Sequence, residues 1–177
     1  VMHISGYMYP VDNKNLNNTF FIKPGTCWGW ATWKRAWKYF KKDSDYLIDT
    51  FDKKMIYEFN LDDAYDYFAQ VRNNKLGKIN TWAIYWYANI YLQDGLSLHP
   101  SSSFVKNIGH DGYGENCIKS NAYDVELCLE YPIKFSKKLV EDNLAREVLR
   151  NYFKTIKISY VNRIIKKLQS IVSQIGL

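Results

Sequence analysis

Apolar and polar positions alternate in two periods along the chain, and switches between them mark out a mixed set of elements. Residues 1–5, β-branched in part and closed by Gly6, predict a strand that runs into a loop through Pro10 and the Asn-rich stretch 13–18. Thr19, Phe20, Phe21 and Ile22 predict a second strand, ended by Pro24 and Gly25. Beyond an aromatic loop at 27–30, Thr32 stands where it can cap a helix whose apolar positions Trp33, Ala36, Trp37 and Phe40 follow a helical period. Residues 51–73 read as helix in two pieces, the second starting at Asp62 or Asp63 ahead of Ala64, Tyr65, Phe68 and Val71. Thr81 is the expected cap of a helix over 82–92 that is apolar nearly all round, and so is expected to be buried on most sides. Asp94 and Gly95 turn the chain into an alternating strand at 96–99, and residues 104–107 read as a further extended piece. A loop carrying Gly109, Gly112 and Gly114 follows. Residues 136–156 and 159–175 then read as helices, the latter amphipathic with Ile164, Leu168, Ile171 and Ile175 on one stripe.

The expected class is therefore α/β and helix-rich, with residues 1–122 forming one body and residues 123–177 a helical, basic extension. Of 177 residues, 47% are hydrophobic and 24% charged, which excludes disorder and fibrous repeats. No run approaches the roughly 20 uninterrupted apolar residues that a membrane-spanning helix requires. The net charge of +6 is unevenly placed. Residues 1–133 hold 14 basic and 15 acidic side chains, net −1, whereas residues 134–177 hold 10 basic and 3 acidic ones, net +7. The tail lacks the interleaved aromatics of a nucleic-acid groove, so no nucleic-acid partner is expected. An anionic membrane surface is the partner the tail suggests, against the plainer reading of a solvated helix packed on the body. Cys27, Cys117 and Cys128 are odd in number and show no C-x-x-C spacing, which argues against a disulfide framework or a structural zinc site and favours a reducing compartment.

Phosphate-loop, dinucleotide, zinc-protease and serine-hydrolase signatures are absent. The informative feature is aromatic: 6 Trp and 15 Tyr set among Asn and Asp, a composition suited to stacking on pyranose rings. By spacing, Trp33, Trp37, Trp82 and Trp86 read as core, and Trp28 and Trp30, flanking Gly29 in a loop, read as the exposed exceptions.

Five segments occur in a meaningful order: Ile4-Ser5-Gly6-Tyr7; the run from Cys27-Trp28-Gly29-Trp30 to Trp37; Gly77 to Ala83; Tyr91 to Pro100; and Val105-Lys106-Asn107-Ile108-Gly109-His110-Asp111-Gly112. Over roughly residues 1–117 this succession resembles the C-terminal half of bacterial family 2 glycosyltransferases of the GT-A fold, which build surface polysaccharides from nucleotide sugars. The resemblance implies an acceptor-binding half of a nucleotide-diphospho-sugar transferase, with a nucleotide-sugar donor, a glycan or lipid-linked acceptor, and a divalent metal, Mn²⁺ or Mg²⁺, in the complete enzyme. It further implies that the chain begins past the acidic metal motif and is a fragment or one piece of a complex, working in the cytoplasm or at the inner face of the membrane. On this reading Trp28, Gly29, Trp30, Asn80 and Trp82 contact acceptor, Asn107, Gly109, Gly112 and Asn116 line the loop over the donor diphosphate, and His110 reaches the metal. An inverting transfer needs a carboxylate base to deprotonate the acceptor hydroxyl. Asn80 and Ala83 stand where it is sought, so Asp63, Asp66 and Asp111 are the substitutes. The competing reading is a non-enzymatic carbohydrate-binding or membrane-adaptor module.

Overall fold

A computed structural model describes residues 1–109, 121–129 and 133–157. Four short strands, β1 (His3–Ser5), β2 (Thr19–Ile22), β3 (Trp30–Thr32) and β4 (Ser97–Pro100), form one sheet in the order β2-β4-β1-β3. The sheet is mixed: β1 runs parallel to β4 with His3 opposite Ser97, and antiparallel to β3 with Ile4 opposite Ala31. At the other side β2 pairs antiparallel with β4, setting Phe20 opposite His99. Around this sheet lie α1 (Lys34–Trp37), α2 (Ser44–Thr50), α3 (Lys53–Phe59), α4 (Tyr67–Lys75) and α5 (Ala83–Leu92), with a sixth helix, α6, at residues 143–157.

The α/β class and the three strands at 3–5, 19–22 and 97–100 agree with the sequence pattern, as does the burial of α5 on all sides. The reason for the latter is visible in its neighbours. Tyr85, Tyr87, Ala88 and Tyr91 join a core with Leu47, Phe51, Phe59, Phe68 and Val71 of the helical layer, while Trp86 and Ile90 point the other way, onto Met2 and Ala36. Buried tyrosines need partners for their hydroxyls. Tyr87 Oη donates to Phe59 O at 3.0 Å, Tyr91 Oη to Glu58 Oε2 at 2.8 Å, and Tyr85 Oη shares a 2.6 Å hydrogen bond with Ser44 Oγ.

Several caps and boundaries differ from expectation. Thr32 Oγ1 donates to Met2 O at 2.6 Å across the sheet, and the N-cap position of α1 falls to Trp33, with no side-chain cap. Thr81 is likewise engaged by Asn74, whose Nδ2 donates to Thr81 Oγ1 and whose Oδ1 accepts from Thr81 N, and Trp82 occupies the N-cap position of α5. The segment 61–63 is not a helix start: Leu61, Asp62 and Asp63 take φ of 52°, 53° and 58°, a left-handed turn, and the cap of α4 is Asp66. Residues 104–107 join no strand, β3 forms where a loop was expected, and helix begins at 143 rather than 136. Asp142 Oδ1 accepts from Ala145 N at 3.0 Å there, a side-chain cap of the expected type. Ala145, Leu149 and Phe153 of α6 then enter a core shared with Met8, Phe20, Ile22, Leu61 and Ala64. The stripe expected at 159–175 lies outside the described residues.

Candidate functional site

The aromatic loop 27–30 is fixed by glycine contacts on both sides. Gly6 N donates to Gly29 O at 2.7 Å, and Gly29 takes φ +58° with Val105 Cγ2 only 2.4 Å from where a Cβ would stand. Phe104 N donates in turn to Gly6 O at 2.8 Å. Two segments of the resembling sequence, at 5–7 and 27–30, thus meet Phe104 and Val105, the latter opening a third, in one junction where a side chain on either glycine has no room.

This junction sends its two tryptophans to different places. Trp28 meets Tyr7 edge-to-face at 4.6 Å and Tyr123 at 5.6 Å, and Tyr7 is itself held by a 2.8 Å hydrogen bond from its hydroxyl to Tyr123 O. Trp30, on edge strand β3, stacks on His3 at 5.4 Å and 11° and lies 5.1 Å from Trp82 and 5.8 Å from Trp37. Trp86 closes the back of this second group, donating from Nε1 to His3 Nδ1 at 3.1 Å. His3 and His99 are both buried, and burial holds both rings neutral, pushing His3 down to about 3 and His99 to about 4.

The core assignment made for the remaining tryptophans holds for Trp86 alone. Trp33, Trp37 and Trp82 are 37%, 40% and 38% exposed. The spacing 33, 36, 37, 40 is helical, but α1 lasts a single turn and buries only Ala36, so the indoles flanking it face outward. The exposed aromatic face therefore comprises Trp37 and Trp82, with half-buried Trp30 at its base, and Trp28, also half-buried, packs against Tyr7 and Tyr123. The run of lysines around α1 is the sequence signal that marks it as a surface turn.

Of the expected acceptor contacts, Trp30 and Trp82 are brought together, with Asn80 nearby in sequence and exposed, its Oδ1 accepting from Lys42 Nζ at 2.6 Å. Asn107 Oδ1 accepts from Gly109 N at 2.9 Å, which closes a local turn. Asp63 is exposed on the left-handed turn. Asp66 is occupied as the cap of α4, accepting from Ala69 N at 3.0 Å and pairing with Arg72 at 3.4 Å. His110, Asp111, Gly112 and Asn116 lie outside the described residues. Among the described residues no three of His, Cys, Asp and Glu gather as ligands for a cation.

A cavity of about 590 Å³ lies apart from the tryptophans, lined in part by Lys23, Glu58, Asp62, Tyr91, Glu141 and Arg146. Its charges largely satisfy one another. Asp62 accepts from Arg146 at 2.7 and 2.8 Å and from Arg150 at 3.0 Å, Glu141 accepts from Lys23 N at 3.2 Å, and Glu58 accepts from Tyr91. The paired Arg146 guanidinium holds the Asp62 carboxyl below the usual carboxylate range. This is an ion-pair network that docks α6 on the 61–63 turn, and no residue expected from the sequence to act at a site lines it. No protein-family model matches the chain, and neither a curated protein nor a solved structure matches it.

Proposed function

We propose that the chain forms the acceptor side of a glycosyltransferase of the GT-A type, presenting a glycan or lipid-linked sugar to a nucleotide-sugar donor. The observation that supports this reading best is the pair formed by exposed Trp82 and half-buried Trp30, 5.1 Å apart and inclined by 34°, with the polar Asn80 and Lys42 hydrogen-bonded close by in the chain. Indole faces stack on the C–H faces of pyranose rings, and amide and ammonium groups at their edge take the hydroxyls. Buried His3 and Trp86 hold Trp30 from behind, so the platform is rigid before ligand arrives. The order of the resembling segments and their meeting at Gly6, Gly29 and Val105 support the same reading.

Deprotonation of the acceptor hydroxyl falls to a carboxylate within hydrogen-bond reach of it. Of the three candidates, Asp66 is committed to its cap and Arg72, which leaves Asp63 and Asp111 as the bases of this reading. The divalent ion, Mn²⁺ or Mg²⁺, enters only through the donor diphosphate, with His110 as its expected ligand. The 158–177 tail supplies an additional contact with anionic lipid. The module reading, a carbohydrate-binding or membrane-adaptor domain without catalysis, draws on the same aromatic face and needs no base.

Calorimetric titration of the 177-residue chain tests the sugar face on which both readings rest. Methyl pyranosides are expected to bind without metal or nucleotide, and UDP-, GDP- and dTDP-sugars are expected to give no heat with Mn²⁺ or Mg²⁺. Metal-dependent binding of a nucleotide sugar would instead place the donor site on this chain and move the assignment to His110, Asp111 and the glycine loop. Silence toward both ligand classes would remove the sugar reading altogether.

A further inference from the structure

The segment 33–42 carries Lys34, Arg35, Lys38, Lys41 and Lys42 and no acidic residue. All five basic side chains are exposed, because α1 is one turn long and only Ala36 faces the core. Between them stand Trp33 and Trp37, more than a third exposed, and Tyr39 at 42%. Trp82 extends the strip: it meets Trp37 edge-to-face at 6.4 Å, and the Lys42–Asn80 hydrogen bond ties the two chain segments together. Arg35 lies over the Trp33 ring at 4.7 Å and Lys38 over Tyr39 at 4.9 Å, so cations and aromatic faces are interleaved. Lys41 has a carboxylate partner, Asp43 at 2.9 Å. Arg35 donates to Val1 O, an uncharged acceptor, and leaves its charge unneutralised by that bond.

We propose that this strip is a docking surface for an anionic lipid leaflet. Indoles and tyrosines favour the headgroup level of a bilayer, where the ring is in a partly apolar layer and its polar edge stays wet. Lysine and arginine stems lie along the same layer while their charged ends reach phosphate. A neutral glycan explains the tryptophans and leaves the charges of Lys34, Arg35, Lys38 and Lys42 around them unexplained; an anionic leaflet accounts for both. The contact is peripheral, since no described helix is long and apolar enough to cross a membrane. It is carried by residues 33–42 and Trp82, and it rests on exposure and charge rather than on glycosyl transfer, so its failure leaves the sugar-binding reading standing.

The test is sedimentation of the full chain with vesicles of phosphatidylcholine alone and of phosphatidylcholine with about one-third phosphatidylglycerol, a lipid charge density sufficient to attract basic segments. Binding is expected only with phosphatidylglycerol. The double substitution Lys34→Glu with Lys38→Glu, at exposed positions, is expected to weaken it at least about 20-fold, as loss of attraction at two basic positions implies. Brominated lipid is expected to quench tryptophan emission in the parent chain, and Trp33→Ser, which removes an exposed indole lying under Arg35, is expected to reduce that quenching with the fold retained by circular dichroism. Undiminished binding of the charge-reversed chain would assign the contact to the tail and overturn the proposal. So would absence of binding or of quenching. A lipid-free dimer abolished by the same reversal would also overturn it, showing that the face is covered by a second copy.

Discussion

His3 and His99 show how far side-chain chemistry is set by position. Both sit on adjacent strands with their rings buried, His3 between Trp30 and Trp86, and His99 stacked against Phe20 at 6.1 Å with Nε2 on Pro24 O at 2.9 Å. Their neutral state is a stability term with a definite sign. The unfolded chain takes up protons near pH 6.5 and the folded chain does so only near 3 and 4, so stability is complete above 6.5 and falls as the pH drops through that value. By pH 5 each histidine is expected to cost about 2 kcal/mol. Urea midpoints measured at pH 7 and pH 5 should differ accordingly, and equal midpoints would mean that the rings are protonated or solvated in the native state. The depressed Asp62 carboxyl acts in another window, its stabilisation being present above the ordinary carboxylate range and lost below it. At the same scale, Trp28 and Trp30 are two residues apart, chemically alike and both half-buried, yet one packs against Tyr7 and Tyr123 and the other against His3, Trp82 and Trp86.

Among the elements, α6 depends most visibly on a single charge. Ala145, Leu149 and Phe153 supply its apolar face, and Asp62 grips Arg146 and Arg150 from a turn whose φ of 53° an Asn tolerates as well as an Asp. Asp62→Asn therefore removes charge with little backbone penalty. With side chains at 13%, 22% and 31% exposure, the pair is partly screened, and the loss is expected to be about 2 kcal/mol in the chemical unfolding of the whole chain. A change under about 0.5 kcal/mol would show the pairs to be solvated in effect.

The strands at 3–5, 19–22 and 97–100 and the buried helix α5 were legible in the sequence, because each has a clear period and a breaker after it; over 51–73 the two helical pieces were legible and the start of the second was not, since 61–63 forms a left-handed turn and α4 begins at Tyr67. The caps were not legible: the hydroxyls of Thr32 and Thr81 go to Met2 and Asn74, partners 30 and 7 residues away, and Asp142 caps a helix expected to begin at 136. β3 was hidden because Trp30, Ala31 and Thr32 have no period to show in three residues, and only pairing with β1 makes them a strand. Aromatic exposure around α1 was misread for a related reason: helical spacing implies a buried face only when the helix is long enough to have one.

For the whole molecule, the sheet and its glycine junction hold an aromatic face made from β3, α1 and the start of α5, segments widely separated in sequence. That face shares Trp37, Trp82 and the Lys42–Asn80 hydrogen bond with the basic strip, so the two proposals describe overlapping surfaces, one for a sugar and one for a lipid leaflet. A lipid-linked acceptor would meet both. The cavity beneath α6 is held by paired charges and belongs to stability.

The most direct measurement is saturation-transfer NMR of the full chain with methyl pyranosides, comparing the parent with Trp82→Ala and Trp28→Ala. Transfer to the sugar ring protons is expected in the parent, with loss of at least about tenfold in affinity for Trp82→Ala, as removal of one stacking face implies. Trp28→Ala is expected to lower thermal stability and leave sugar binding intact. Binding that survives without Trp82 and disappears without Trp28 in a chain that remains folded would contradict the account, placing the acceptor on the tyrosine side of the loop.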